Sequence, residues 1–178
     1  GGTSTDISLI EEGVPPLSRE KFEDGWKIAV PMIDIHTMGA GGGSIASVGP
    51  GGILHVGHQS AGADPGQACY DKGGEDSTVA AANLMLGYLD PDNFLGGKAK
   101  LNKDLAAKAL EERVAKPLGM TPVEAAYGVS KVVATTMAEG IRLMSVHRGV
   151  DPREFAILAF GGAAGLHAGQ VARELRGD

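Results

Sequence analysis

The period of the apolar positions changes near residue 75, dividing the sequence into a strand-rich first part and a helix-rich second part. From Thr5 to Ile10 (TDISLI) and from Trp26 to Ile35 (WKIAVPMIDI) the runs are short, β-branched and bounded by Gly or Pro, which reads as two strands. The glycine-rich stretch from Gly39 to Gly52, followed by Ile53 to Gly57, reads as a hairpin. Ser60 to Gly74 carries four glycines and one proline among polar residues and reads as a long loop. Loops beyond roughly 12–15 residues are uncommon unless they serve a function.

Beyond Gly74 the spacing becomes helical. Thr78 to Leu89 is nearly all apolar and predicts a buried helix capped by Ser77 or Asp76. Asn102 predicts the cap of a second helix, with Leu105, Ala106, Leu110 and Val114 on one face and Pro117 as its stop. Thr121, Pro122 and Glu124 spell a capping box with proline at the first helical position. Val123, Tyr127, Ser130, Ala134, Met137, Ile141 and Met144 then follow at helical spacing, ended by Gly149 and Pro152. Phe155 to Phe160 (FAILAF) is all apolar and predicts a strand buried on both faces, leading through Gly161 and Gly162 into a last helix near Leu166 to Leu175. Strands first, helices later and one returning strand give a mixed α/β arrangement in a single domain, residues 1–178.

Composition sharpens this picture at one point. Of 178 residues 28 are glycine, about twice the usual share, yet there is no collagen period and 43% of residues are apolar. The glycines therefore belong to a folded domain. The net charge of −6 and the scarcity of aromatics argue against a nucleic-acid surface. No apolar stretch approaches the roughly 20 residues of a membrane span. The lone Cys69 can form neither an internal disulfide nor a zinc knuckle, which fits a reducing, cytoplasmic setting. The opening Gly1-Gly2-Thr3, without Met, points to a piece of a longer chain.

Three motifs could carry chemistry. The first, GGTSTD, sets Gly1 and Gly2 beside Thr3, Ser4, Thr5 and Asp6. Backbone without Cβ can close on an anion, hydroxyls can donate to phosphate oxygens, and Asp6 could hold a metal-bound water. A turn whose hydroxyls only satisfy backbone groups fits equally well. The second, FGGAAGLHA, delivers Gly161, Gly162 and Ala163 to a helix N-terminus, where bare backbone can meet a flat ring and the dipole favours an anion. A tight strand-to-helix turn is the plainer account of it. The third, IDIHTMGAGGGS, places Asp34 and His36 two apart on one strand face, followed by Gly41, Gly42 and Gly43. Two ligands do not complete a metal site, so Asp34 and His36 are expected to organise the loop by hydrogen bonds. His55 and His58 are spaced to face opposite ways, and Cys69 has no neighbouring base. Asn83, polar in an apolar helix, reads as a satisfied buried amide.

Taken together, GGTSTD, IDIHTMGAGGGSIA, SAGADPGQACY, TVAAANLMLG, LDPDNFLGG and DPREFAILAFGGAAGLHA resemble, in this order and over nearly the whole chain, the hydantoinase A and 5-oxoprolinase family. Relatives of that family include the ATP-using subunits of acetone and acetophenone carboxylases. The resemblance implies one lobe, the C-terminal one, of an actin, Hsp70 and sugar kinase-like (ribonuclease H-like) ATPase core, with a mixed sheet and packed helices. It implies ATP and Mg²⁺ as cofactors and phosphorylation of a cyclic amide oxygen, followed by ring opening through attack of water. Gly1, Gly2, Thr3, Ser4 and Thr5 match the second phosphate hairpin, Asp6 the catalytic carboxylate near Mg²⁺, and Gly161, Gly162 and Ala163 the adenosine motif.

A first-lobe phosphate hairpin, and an aspartate just before the second hairpin, are parts of the family pattern that lie outside this chain. The 178 residues alone are therefore expected to show no turnover. The sequence departs from the family pattern at Gln67, Ala81, Ala164 and Gly165, and at Ala81 an acidic position is lost. The resemblance also implies a partner subunit of hydantoinase B type and an oligomer. A ketone carboxylase subunit and a scaffold that has kept the fold but lost nucleotide are the alternatives.

Overall fold

Proline placement decides how the first forty residues pair. The computed structural model describes residues 2–18, 21–23 and 26–177. Strand β1 (Thr5–Ile7) pairs antiparallel with β6 (His36–Met38), β2 (Leu17–Ser18) with β5 (Met32–Ile33), and β3 (Lys21–Glu23) with β4 (Trp26–Ile28). These nested pairs make one interrupted two-stranded arm. Pro15, Pro16 and Pro31 lack the amide a ladder needs, so the strand expected from Trp26 to Ile35 is broken into β4 and β5. The run expected from Thr5 to Ile10 is likewise ladder-paired only over β1.

Strands β7 (Ser44–Gly49) and β8 (Ile53–Ser60) form the expected hairpin, with a register shift between Ser44 and Ala46. Gly51 (φ 84°) and Gly52 (φ 74°) turn the chain through left-handed backbone that a side chain would strain.

Helix α1 (Val79–Met85) is capped by Thr78, whose hydroxyl accepts from the Ala81 amide. This corrects the expected cap at Ser77 or Asp76: both lie before the residue whose side chain can reach the first-turn amides. Asn102 caps α2 (Lys103–Leu110) as expected, accepting from the amides of Asp104 and Leu105. Pro117 does not stop this helical run. A π-turn (Glu111–Ala115) widens the backbone, the Lys116 amide bonds Glu111 O, and α3 (Lys116–Leu118) accommodates the proline before Gly119 (φ 66°) ends it.

The capping box opens α4 (Pro122–His147): the Glu124 amide donates to Thr121 Oγ1 (3.3 Å) and the Thr121 amide to Glu124 Oε2 (2.8 Å). Thr121→Ala removes one half of this exchange and is expected to lower stability by about 1 kcal/mol, read from the urea midpoint. Helix α5 (Ala164–Arg176) lies on α4, where Ser130 Oγ donates to Gln170 Oε1 (2.9 Å) and Arg142 donates to Glu174 O.

The core lies between α4 and the elements around it, with Val79, Leu84, Leu110, Val114, Val129 and Val133 fully buried. The strand expected at Phe155–Phe160 is absent. Residues 155–160 form no ladder, and Leu158 and Phe160 are 78% and 83% exposed. An all-apolar run becomes an inner strand only when strands flank it on both sides, and none pairs with it among the described residues. The architecture is mixed α/β, with small antiparallel sheets and packed helices in place of one continuous mixed sheet. No described helix is long and apolar enough to cross a membrane.

Candidate functional site

The glycine segment between β6 and β7 is the floor of the candidate site. Ala40 to Ser44 is buried throughout. Ser44, with no exposed surface, accepts from the Gly41 amide through its Oγ (2.9 Å), fixing the bend. The chain's first turn lies on this floor: the Gly43 amide donates to Gly2 O (2.5 Å) and Thr5 Oγ1 donates to Ala40 O (2.5 Å). A Cβ at Gly41 would fall 2.8 Å from the Thr3 carbonyl carbon, and one at Gly43 2.9 Å from Gly2 O. The two backbones can meet at this distance only because both floor positions lack side chains.

Two more elements close on the same floor. The Ala61 amide, at the end of β8, donates to Gly43 O (3.0 Å), and Ser60 Oγ lies 3.4 Å from Thr3 Oγ1. On the other side, the Ala80 amide in the first turn of α1 donates to Gly42 O (2.8 Å). Gly2 and Thr3 remain exposed above this arrangement and Ser4 and Thr5 are half-buried; Thr5, expected to give its hydroxyl to a phosphate, gives it to Ala40 O instead. Gly1 lies outside the described residues. Asp6, on β1, is exposed and accepts from Thr37 Oγ1 across the strand pair (2.7 Å).

The exposed Thr3 hydroxyl and Gly2–Thr3 backbone fit a polyphosphate, on a turn whose base has no room for a Cβ at Gly41 or Gly43. One exposed carboxylate beside it fits a hard cation that keeps most of its waters. Among the described residues no group of three His, Cys, Asp or Glu side chains could hold a metal by itself.

Asp34 and His36 are not brought together as a pair. Asp34 falls between β5 and β6, and its carboxylate is bound by Arg148 at the end of α4. Its amide donates to Pro16 O (2.8 Å) and its carbonyl accepts from Ser8 Oγ (2.9 Å). His36 begins β6, exposed and opposite Ile7. Asp34 thus ties the arm to α4, which places the Gly39–Ser44 segment.

Gly161 (φ 87°) and Gly162 are exposed, Ala163 is half-buried, and the space where their glycine side chains would start is open. They lead into α5 without a capping side chain. Helix α1 links this turn to the floor. Its first turn is bonded to Gly42, and Asn83, further along α1, meets His167 in the first turns of α5 (Nδ2 to Nε2, 3.1 Å). Asn83 is only half satisfied, because its Oδ1 and His167 Nδ1 are buried without partners.

Sequence reasoning missed three participants. Ser44 and Ser60 were hidden as ordinary strand-end serines. Gln67, a departure from the family pattern, is buried and accepts from the hydroxyl of Thr78, the cap of α1 (3.0 Å), while its amide donates to Tyr70 OH (3.2 Å). Cys69 is fully buried, and burial pushes its thiol up to about 11, so it is inert as a nucleophile at neutral pH.

Burial lowers the pKa of His167 by disfavouring the imidazolium. In the unfolded chain histidine titrates near 6.5, so below that pH the unfolded state takes up more protons than the native one. Stability is therefore expected to be level above about pH 6.5 and to fall as pH drops below it. Thermal melts between about pH 5 and 8 check this, and His167→Gln should flatten that part of the profile.

The solved crystal structure of the ATP-dependent caprolactamase from Pseudomonas jessenii shares this fold, with a TM-score of 0.87 at 47% identity, over 98% of this chain and 25% of that one. The fold is that of the actin, Hsp70 and sugar kinase-like class, as found in ATP-dependent hydantoinase-family enzymes. Residues 1–176 match the Hydantoinase/oxoprolinase family, and the chain belongs to it. Caprolactamase subunit alpha of Pseudomonas jessenii is 47% identical over 98% of this chain and 25% of its own length. Acetophenone carboxylase gamma subunit of Aromatoleum aromaticum is 43% identical over 94% of this chain and 23% of its own length. The chain thus spans about a quarter of these relatives, and both are named as subunits of larger assemblies.

Proposed function

We propose that this chain is the C-terminal lobe of the ATPase core of an enzyme that phosphorylates the oxygen of a cyclic amide before its ring is opened. The observation that carries the reading is the Gly2–Thr5 turn seated on the Ala40–Ser44 floor with Gly2 and Thr3 left exposed. The names of the caprolactamase relatives support a lactam as substrate and ATP as phosphoryl donor.

In this reading Gly1 and Gly2 would offer backbone amides, and Thr3 and Ser4 hydroxyls, to phosphate oxygens, while Thr5, whose hydroxyl is given to Ala40 O, would hold the turn to its floor. Asp6, tethered by Thr37, would hold Mg²⁺ through one of its waters. Gly161, Gly162 and Ala163 would hold the adenine, while Gly41, Gly42 and Gly43 support the Gly2–Thr5 turn from beneath. When bound, ATP supplies the phosphoryl group that turns the amide oxygen into a leaving group. The chain's own work is to hold the transferring group in line and offset its charge with fixed donors. A hydantoinase B-type subunit completes the assembly, the protein works in the cytoplasm, and the opposite lobe covers the face this lobe leaves open. The isolated lobe holds half of such a site and is expected to be inactive.

The acetophenone carboxylase relative favours a second reading, a subunit that phosphorylates a ketone enolate or bicarbonate. The longer protein, with its partner and Mg²⁺, decides between them when phosphate release from ATP is followed with hydantoin, 5-oxoproline or caprolactam, and in parallel with a ketone plus bicarbonate. Lactam-dependent release with ring-opened product supports the first reading. Release only with ketone and bicarbonate overturns it in favour of the second. A melting temperature unmoved by millimolar ATP overturns both and leaves the scaffold.

A further inference from the structure

We propose that Asn83 and His167 are a positioning pair that fixes the turn before α5 relative to the phosphate-side turn of α1. The inference rests on the nucleotide reading above and names residues that reading leaves unused. The two candidate segments, Gly2–Thr5 on its floor and Gly161–Ala163, are far apart in sequence, and a polyphosphate nucleotide must touch both. Helix α4 packs against both sides, and helix α1 adds a hydrogen bond to each. The Ala80 amide bonds Gly42 O, and Asn83, three residues and about 4.5 Å of helix rise further along, bonds His167. His167 is the fourth residue of α5, so its ring holds the helical turn that directly follows Gly161–Ala163.

The contact is built for registry more than for stability. Both side chains are almost completely buried among apolar residues, Asn83 at 1% and His167 at 0% exposure. Each keeps one polar atom unpaired, Asn83 Oδ1 and His167 Nδ1. Two apolar side chains of matching volume would avoid that desolvation cost, since half-satisfied buried groups are destabilising relative to an apolar core. What the polar pair adds is direction: an amide hydrogen aimed at one ring nitrogen fixes both the separation and the rotation of α5 against α1, which apolar packing specifies less tightly. With Asn83 Nδ2 as donor, Nε2 accepts and the ring proton sits on Nδ1.

The test uses the longer protein with its partner, comparing Asn83→Ala, His167→Ala, the double variant and the conservative His167→Gln, whose amide oxygen can still accept from Asn83. Melting temperature, kcat and KM for ATP are read for each. The expected result is a KM for ATP raised about tenfold in each alanine variant with kcat within about twofold, no further rise in the double variant, and recovery in His167→Gln. Melting temperatures that fall while KM stays at the wild-type value overturn the proposal, since the pair is then only packing. So do single effects that multiply in the double variant. Nitrogen-15 spectra of histidine-labelled wild-type protein need no substitution that might unfold it. A neutral His167 with its proton on Nδ1 is expected, and a proton on Nε2 overturns the assignment. Wild-type protein that binds ATP while the variants match it overturns the pair alone. Wild-type protein that binds no ATP overturns the nucleotide reading, and the pair with it.

Discussion

Gly41→Ala is expected to destabilise the chain by about 1–3 kcal/mol and to weaken ATP binding by the longer protein, because the added Cβ has nowhere to go. It would lie 2.8 Å from the Thr3 carbonyl carbon and 3.0 Å from both Gly2 O and the Ser4 amide nitrogen. All three are backbone atoms of the phosphate-side turn, so no rotamer change relieves the contact, and the turn itself must lift from its floor. Neighbouring glycines grade the effect. At Gly42 the nearest atom to an added Cβ is Ala80 Cβ at 3.9 Å, ordinary contact, and Gly42→Ala should be close to neutral. At Gly140 the crowding comes from the far end of the Met38 side chain, which can swing aside, so Gly140→Ala should fall between the two. Equilibrium urea unfolding of the three variants reads the order directly. If Gly41→Ala and Gly42→Ala cost the same, the floor does not support the turn as described.

Much of this architecture was legible because its signals are local. The capping box at Thr121, Pro122 and Glu124 and the Asn102 cap are encoded within three or four residues and appear where the sequence puts them. The β7–β8 hairpin likewise follows from glycines that its turn requires. The failures share a different cause. Pro117 reads as a stop because an α-helix cannot absorb it; a π-turn can, and nothing local announces that turn. Phe155–Phe160 has the composition of an inner strand, but composition cannot supply the flanking strands.

The candidate site divides in the same way. Gly2, Thr3, Thr5 and Gly41 to Gly43 are adjacent to one another in two motifs and turn out to touch. Ser44, Ser60, Gln67 and the Asn83–His167 contact depend on sequence separations that no periodicity reports. Asp34 shows the reverse error: its spacing from His36 assumed one strand through both, whereas β5 ends at Ile33 and β6 begins at His36, leaving the Asp34 carboxylate to Arg148.

Under the proposed function, the exposed apolar run at Phe155–Phe160 and the exposed Gly2–Thr3 turn would both be covered by other parts of a longer protein. An unladdered apolar segment gains backbone partners only from another strand, and an anion cradle open to water is weak until a second surface excludes that water.

Asp6→Ala separates chemistry from folding more sharply than any other substitution in this chain. The carboxylate is exposed, and its hydrogen bond with Thr37 is a surface contact between two short strands, so its loss should move the melting temperature by no more than a few degrees. If Asp6 holds the cation, its removal takes away an interaction strengthened as charge shifts in the transition state. The kcat of the longer protein should then fall by about 10²–10³-fold. Thr37→Val, which keeps the carboxylate and removes its tether, should cost far less and act mainly through geometry. Raising Mg²⁺ should partly restore Thr37→Val and leave Asp6→Ala where it is, because excess cation can repopulate a loosened site but cannot replace its ligand. An Asp6→Ala enzyme that keeps wild-type kcat would move the catalytic carboxylate to another part of the protein and leave this lobe a phosphate-holding role alone.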